Sequence, residues 1–256
     1  MIRNEIHKLE KKLVQIDKEK KTQRKNRQGT YKVALVGYTN AGKSSLMNCL
    51  TGADTLVEDK LFATLDATVR KIKKNFPSPV LLSDTVGLID KLPHDLVASF
   101  KSTLDEVRDA DLLIHVVDIS HHEYAKQMRT ADNLLSEMGA DDIDIILAFN
   151  KIDALPETEI LDRALHAHPS SIAISSKTGQ GIDLLRQQMV IHYEKNLAPY
   201  RLELKHSQAA LIQEIRKYSL VLKEDYTPDG IVLNLRVAAW AKAKLESIIK
   251  KSIKPD

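Results

Sequence analysis

The chain has 256 residues, of which 43% are hydrophobic and 29% charged, with a formal net charge of +3, an ordinary composition for a water-soluble globular protein. There is no apolar run of about 18 residues and the start Met1-Ile2-Arg3-Asn4-Glu5 is polar, so neither a membrane span nor a secretory signal is predicted and a cytosolic location is expected. The one cysteine, Cys49, excludes an internal disulfide and suits a reducing compartment.

The charge is unevenly spread. Residues 1 to 30 hold ten Lys/Arg against four Asp/Glu. In that segment Ile2, Ile6, Leu9, Leu13 and Ile16 recur in steps of four and three, the seam of a helix that packs on a partner. No glycine or proline interrupts residues 1 to 28. A helix of about seven turns is predicted over 1–29. Its second half, Lys18 to Arg27 with Lys20, Lys21, Arg24 and Lys25, is almost purely cationic, which fits RNA phosphates or plain solvent. The partner of the seam stays open between the rest of this chain, a second copy and a region not included in it.

From 30 to 198, strand-like and helical patterns alternate. Apolar runs at Lys32–Val36, Val80–Ser83, Leu112–Asp118, Ile143–Phe149 and Ser171–Ser175 are separated by helical patterns near 44–51, 93–109, 122–138, 157–167 and 181–195. That rhythm predicts an α/β three-layer domain with a mostly parallel sheet covered on both faces. Val69–Asn75, with interleaved lysines, reads as an edge strand. Beyond Pro199 the pattern changes to a strand at 200–205, a helix over 207–219, a turn at Thr227-Pro228-Asp229-Gly230, a strand face of Ile231, Leu233, Leu235 and Val237, and a helix from about 238 to 251. A small α+β module over 199–256 is expected.

The chemistry is carried by segments at the predicted strand ends. Gly37-Tyr38-Thr39-Asn40-Ala41-Gly42-Lys43-Ser44 has the spacing of a phosphate-binding loop between a strand and a helix: glycines let backbone N–H groups face a phosphate chain, Lys43 neutralises the outer phosphates and Ser44 can ligate Mg²⁺. Asp84-Thr85-Val86-Gly87 follows the next long apolar strand, where Asp84 can hold a water of the Mg²⁺ shell and the Gly87 N–H can meet a γ-phosphate. Asn150-Lys151-Ile152-Asp153 ends another strand. There the Asp153 carboxylate can accept the N1–H and exocyclic amine of guanine, while Asn150 and Lys151 brace the loop and cover the base. Ser175-Ser176-Lys177 ends the next strand, with the Ser176 N–H placed to meet guanine O6. Between the first two segments, Thr64 and Thr68 could both complete the Mg²⁺ shell.

The set resembles the translation-factor-related GTPases. More closely, Val36 to Ser44, Leu61-Phe62-Ala63-Thr64-Leu65-Asp66-Ala67-Thr68-Val69-Arg70 and Asp84 to Leu96 resemble the HflX family of ribosome-associated GTPases, over nearly the whole chain but without the domain that HflX proteins carry before the basic helix. The resemblance implies a Mg²⁺-dependent GTPase switch that associates with the ribosome, on the large subunit, and a monomer. It implies catalytic roles for Lys43, Thr64 and Gly87, metal ligation by Ser44 and Thr64 and, through water, Asp84, and nucleotide contacts from 37–45, Phe62 to Asp66, 84–87, 150–153 and 175–177, Ser45, Ala63 and Leu65 included. It also implies ribosome splitting or rescue, an activity expected to weaken without the preceding domain. The residues alone leave two rivals: an RNA-binding switch with little turnover, and a GTPase of ribosome assembly or tRNA modification.

Two positions set further expectations. Where many small GTPases have a water-orienting glutamine after Asp-x-x-Gly, this chain has Leu88, so hydrolysis without a partner or ion is expected to be slow. Asn40 occupies the loop position where cation-dependent GTPases carry asparagine, which makes K⁺ a candidate cofactor. His115 reads as a satisfied core residue and no zinc site is indicated.

Overall fold

The computed structural model describes residues 30–52, 68–72, 76, 80–85, 87–88 and 106–252. The expected helix over 1–29, the segment from Phe62 to Asp66 with Thr64, and Val86 lie outside the described residues. Two compact units result, one spanning Tyr31–Asn196 and one containing Leu197 onward.

The first unit is built on a six-stranded sheet. Its strands are β1 (Tyr31–Val36), β2 (Thr68–Ile72), β3 (Val80–Asp84), β4 (Leu112–Asp118), β5 (Ile145–Asn150) and β6 (Ile172–Ala173), in the order β2-β3-β1-β4-β5-β6. All pairings are parallel except β2 with β3. This is an α/β arrangement with a mostly parallel sheet, as the alternating rhythm predicts. Helices α1 (Lys43–Thr51), α2 (Tyr124–Glu137), α3 (Thr158–Ala167) and α4 (Ile182–Lys195) connect and cover it. Because parallel strands are buried on both faces, β4 is apolar nearly throughout, and every residue from Leu112 to Val117 is buried. One face packs Ala34, Val36, Leu113, Ala131, Leu135 and Met138 together. Another cluster gathers Val117, Ile119, Phe149 and Ala164. Phe149 is wholly buried, and truncating such a side chain to alanine costs about 3–5 kcal/mol. His115 is the polar exception inside β4; its Nδ1 lies 3.2 Å from Asp132 Oδ1, so it is a partnered core residue.

The strand order changes direction at β1, whose neighbours β3 and β4 lie on opposite sides. Open α/β sheets bind ligands at the carboxyl ends of strands beside such a switch point. The loop after β1 occupies that position.

In the second unit β7 (Ala198–Leu204), β8 (Leu220–Thr227) and β9 (Gly230–Val237) form an antiparallel sheet in the order β7-β9-β8. Ile231, Leu233, Leu235 and Val237 of the central strand are all buried, as their alternation predicts. Two expectations need correction. The predicted 207–219 helix is a 3-10 segment, His206–Leu211, followed by the single turn α5 (Ile212–Ile215). Strand β8 was not foreseen at all: its register shifts between Val221 and Lys223, breaking the period-2 alternation on which strand recognition depends. Ala198 and Pro199 pair with Val237 and Arg236 at the start of β7. Helix α6 (Ala239–Ser252) ends the described chain. Among the described residues, no helix is long and apolar enough to cross a membrane.

Candidate functional site

The loop between β1 and α1 is held in shape by conformations that only glycine takes without strain. Gly37 has φ 147°, and a Cβ there would lie 2.2 Å from the Val116 carbonyl oxygen of β4. Gly42, at the N-cap of α1, has φ 93°, and a Cβ there would lie 2.3 Å from Asn150 Nδ2. Neither position leaves room for any other residue. Asn40 also adopts positive φ, 61°, a conformation that asparagine tolerates better than most residues.

Lys43 is the first residue of α1 and its side chain turns back under the loop. It is buried, and its Nζ donates to the carbonyls of Gly37 at 3.1 Å and Tyr38 at 2.9 Å. Burial lowers its pKa from 10.5 to about 8, against the opposing pull of the Asp84 carboxylate. These two partners are neutral oxygens, weaker compensation for a buried cation than an anion would be.

Ser44 Oγ donates to Asp84 Oδ2 at 2.5 Å. A hydroxyl and a carboxylate converging at that distance beside a phosphate loop are hard oxygen donors of the kind Mg²⁺ prefers, so the two side chains fit that ion. Thr85 is buried and its hydroxyl donates to the Leu35 carbonyl at 2.7 Å, fixing the end of β3 to β1. Gly87 lies against the phosphate loop: a Cβ there would be 2.7 Å from Thr39 Cα. Leu88 then forms two backbone bonds with the loop, donating N–H to the Gly37 carbonyl at 3.0 Å and accepting from the Thr39 N–H at 3.1 Å. Its side chain is fully buried in the core with Val36, Val107 and Leu135. It therefore points into the protein, where a water-orienting amide would have to point out.

The base-side residues come together from β5 and the segment after β6. Asn150 is buried and ties three elements: Nδ2 donates to the Ala41 carbonyl at 2.8 Å, while Oδ1 accepts the Ser176 N–H and Ser176 Oγ, both at 3.0 Å. The Ser176 N–H, expected from sequence to face guanine O6, is thus engaged by Asn150 in this structure. Asp153 follows on a 3-10 turn, Ile152–Ala154, and its Oδ1 accepts Ser175 Oγ at 2.5 Å. Lys177 Nζ lies 3.9 Å from Asp153 Oδ2 and is largely exposed. Lys151 takes positive φ, 65°, and its Nζ lies 2.8 Å from Asp118 Oδ2. Cys49 of α1 donates its thiol to the Ser176 carbonyl at 3.0 Å, and burial pushes its pKa up, as befits packing rather than reactivity.

Of the sequence-predicted residues, 37–45, 84–85, 87, 150–153 and 175–177 gather at the carboxyl edge of one sheet; 62–66 and Val86 are outside the described residues. Asp118 was missed. The signal available was an acid closing an apolar strand, but its meaning depends on the lateral register that sets Asp118 opposite Asn150.

Comparison with known proteins agrees with this layout. A family model described as a 50S ribosome-binding GTPase matches residues 32–151. A curated relative named GTPase HflX, from Gluconacetobacter diazotrophicus, is 41% identical over 250 residues, covering 96% of this chain and 54% of its own. The chain spans about half the length of the curated relatives it matches. Among solved structures, an Era variant of Aquifex aeolicus bound to GDP and AlF4⁻ aligns with a TM-score of 0.55 at 21% identity, over 64% of this chain and 57% of that one. NFeoB of S. thermophilus, bound to GDP, AlF4⁻ and K⁺, aligns with a TM-score of 0.51 at 24% identity, over 62% and 60% respectively. At those identities the two structures speak for the fold alone.

Proposed function

The chain belongs to the HflX family of GTPases, and on that premise we propose that it binds GTP and GDP, hydrolyses GTP, and associates with the ribosome through the large subunit. The observation that carries the reading is the buried Lys43 cation at the start of α1, whose Nζ donates, among the described residues, to the neutral carbonyls of Gly37 and Tyr38, with the Asp84 carboxylate offsetting only part of the cost of burial. A triphosphate would supply further anionic charge.

In this reading the P-loop amides and Lys43 grip the β- and γ-phosphates, Ser44 and Thr64 ligate Mg²⁺, and Asp84 holds a water of its shell. Mg²⁺ held by these residues would supply positive charge against the negative charge that develops during phosphoryl transfer. The Gly87 N–H meets the γ-phosphate. The backbone bonds that Leu88 makes to Gly37 and Thr39 tie the segment after β3 to the same loop, so nucleotide state would be felt there. Asp153 reads guanine, with Ser175 fixing its carboxylate. With Leu88 buried, catalysis needs completion from outside; in related enzymes a supplied arginine is worth about 10³ to 10⁵ in rate. Asn40 is the candidate K⁺ ligand by its place in the loop between β1 and α1.

Charge supports a polyanionic partner. Residues 31–196 hold 17 Lys/Arg against 24 Asp/Glu, whereas residues 197–252 hold ten against six and residues 1–30 ten against four. The basic flanks, not the nucleotide unit, would meet ribosomal RNA. The burial of Leu88 also favours a second reading, a nucleotide-switched RNA-binding module with little turnover. Phosphate release measured with and without large ribosomal subunits, in K⁺ and in Na⁺, separates them: turnover raised by the subunits supports the GTPase, and none in any condition supports the second reading. Equal rates in the two salts would remove the K⁺ role.

A further inference from the structure

We propose that Asp118 is a positioning residue for the guanine pocket, holding the Lys151 side chain in place as one wall of it. The inference rests on the guanine-nucleotide reading above. Asp118 closes β4 directly opposite Asn150, the last residue of β5, and the Ile119 N–H donates to the Asn150 carbonyl at 3.1 Å, so the two strand ends are locked in register. The carboxylate is held from both sides. Oδ1 accepts the Ser120 N–H at 3.1 Å and Ser120 Oγ at 2.6 Å, while Oδ2 takes Lys151 Nζ at 2.8 Å. An ordinary surface ion pair has two mobile, solvated partners. Here the Asp118 side chain is only 13% exposed and Lys151 30%.

The consequence concerns the lysine stem. Lys151 is already committed to positive φ, which fixes where its side chain leaves the backbone. Pinning the ammonium at the far end then removes most of the rotamer freedom of a four-carbon chain. A stem tethered at both ends is a preorganised apolar surface beside the base, and preorganisation shows as slower ligand release. Both GDP and GTP carry that base, so the contribution is equal for the two and absent from phosphate transfer itself.

The test is stopped-flow release of fluorescently labelled GDP and GTP from the full chain carrying Asp118→Asn, which keeps the acceptor for Ser120, and Asp118→Ala. Release of both nucleotides is expected to speed up by about tenfold, with their affinity ratio unchanged within about twofold. In a Lys151→Met background, whose stem needs no charge partner, Asp118→Ala is expected to change release by less than about twofold. Release unchanged in both single variants overturns the proposal, as does a full effect of Asp118→Ala in the Lys151→Met background. If the unaltered chain binds no guanine nucleotide, the underlying reading fails and this inference with it; unaltered binding with unaltered variants sinks this inference alone.

Discussion

The two ends of the candidate site are built differently. At the phosphate end the contacts are backbone: a glycine-bent loop, a helix N-terminus, and a buried lysine that leans on neutral carbonyls with its pKa depressed to about 8. At the base end they are side chains already partnered with one another, Asn150 with Ala41 and Ser176, Asp153 with Ser175, Lys151 with Asp118. One end carries an electrostatic deficit that a ligand relieves; the other is a finished lattice that a ligand enters. Tight binding is therefore expected from the first and discrimination from the second.

The strongest way to break that division is at Asp153. Asp153→Asn removes the carboxylate proposed to accept two guanine donors, and GTP affinity should fall by about 10³-fold or more while xanthosine triphosphate gains, as read by calorimetry. Retention of tight GTP binding would remove discrimination from the base end. Lys43→Ala should weaken GTP and GDP by about 10² to 10³ without altering the preference for guanine over adenine, since the charge acts only on phosphates. A changed base preference would show that the two ends are not separable.

Asn150→Ala tests the lattice. It leaves the Ala41 carbonyl and the Ser176 N–H without their shared partner, and chemical denaturation of the ligand-free chain should show a loss of about 2–3 kcal/mol. The smallest effect is a proton count. Below pH 8 the free Lys43 is charged, and above it neutral; phosphate favours the charged form and raises its pKa on binding. At pH 8 binding of Mg·GTP should therefore take up roughly half a proton, at pH 6.5 almost none, and affinity should decline as pH rises through 8. Calorimetry in two buffers of different ionisation heat measures this, and Lys43→Ala should abolish it.

How much of this was legible in the sequence follows from how each feature is encoded. Leu112–Asp118 was read with its observed bounds because a parallel strand buried on both faces is written as one apolar run. The motif residues could be proposed from the sequence because fixed spacing along the chain marks them. Strand β6 shrank to Ile172–Ala173, since Ser175 N–H turns to the Gln180 carbonyl and leaves the sheet. Strand β8 was invisible because it is an edge with a bulge and three charges, Lys223, Glu224 and Asp225. The absence of a glutamine at Leu88 is plain in the sequence, but the burial of Leu88 depends on core packing that no local pattern states. Asp118 depends on strand register in the same way.

Calorimetric titration of the chain with Mg·GTP and with Mg·ATP tests the central claim most directly. A guanine preference of about 10³ or more is predicted. Equal affinities would mean that the partnered side chains at the base end select nothing, and the division of labour proposed for the site would be wrong.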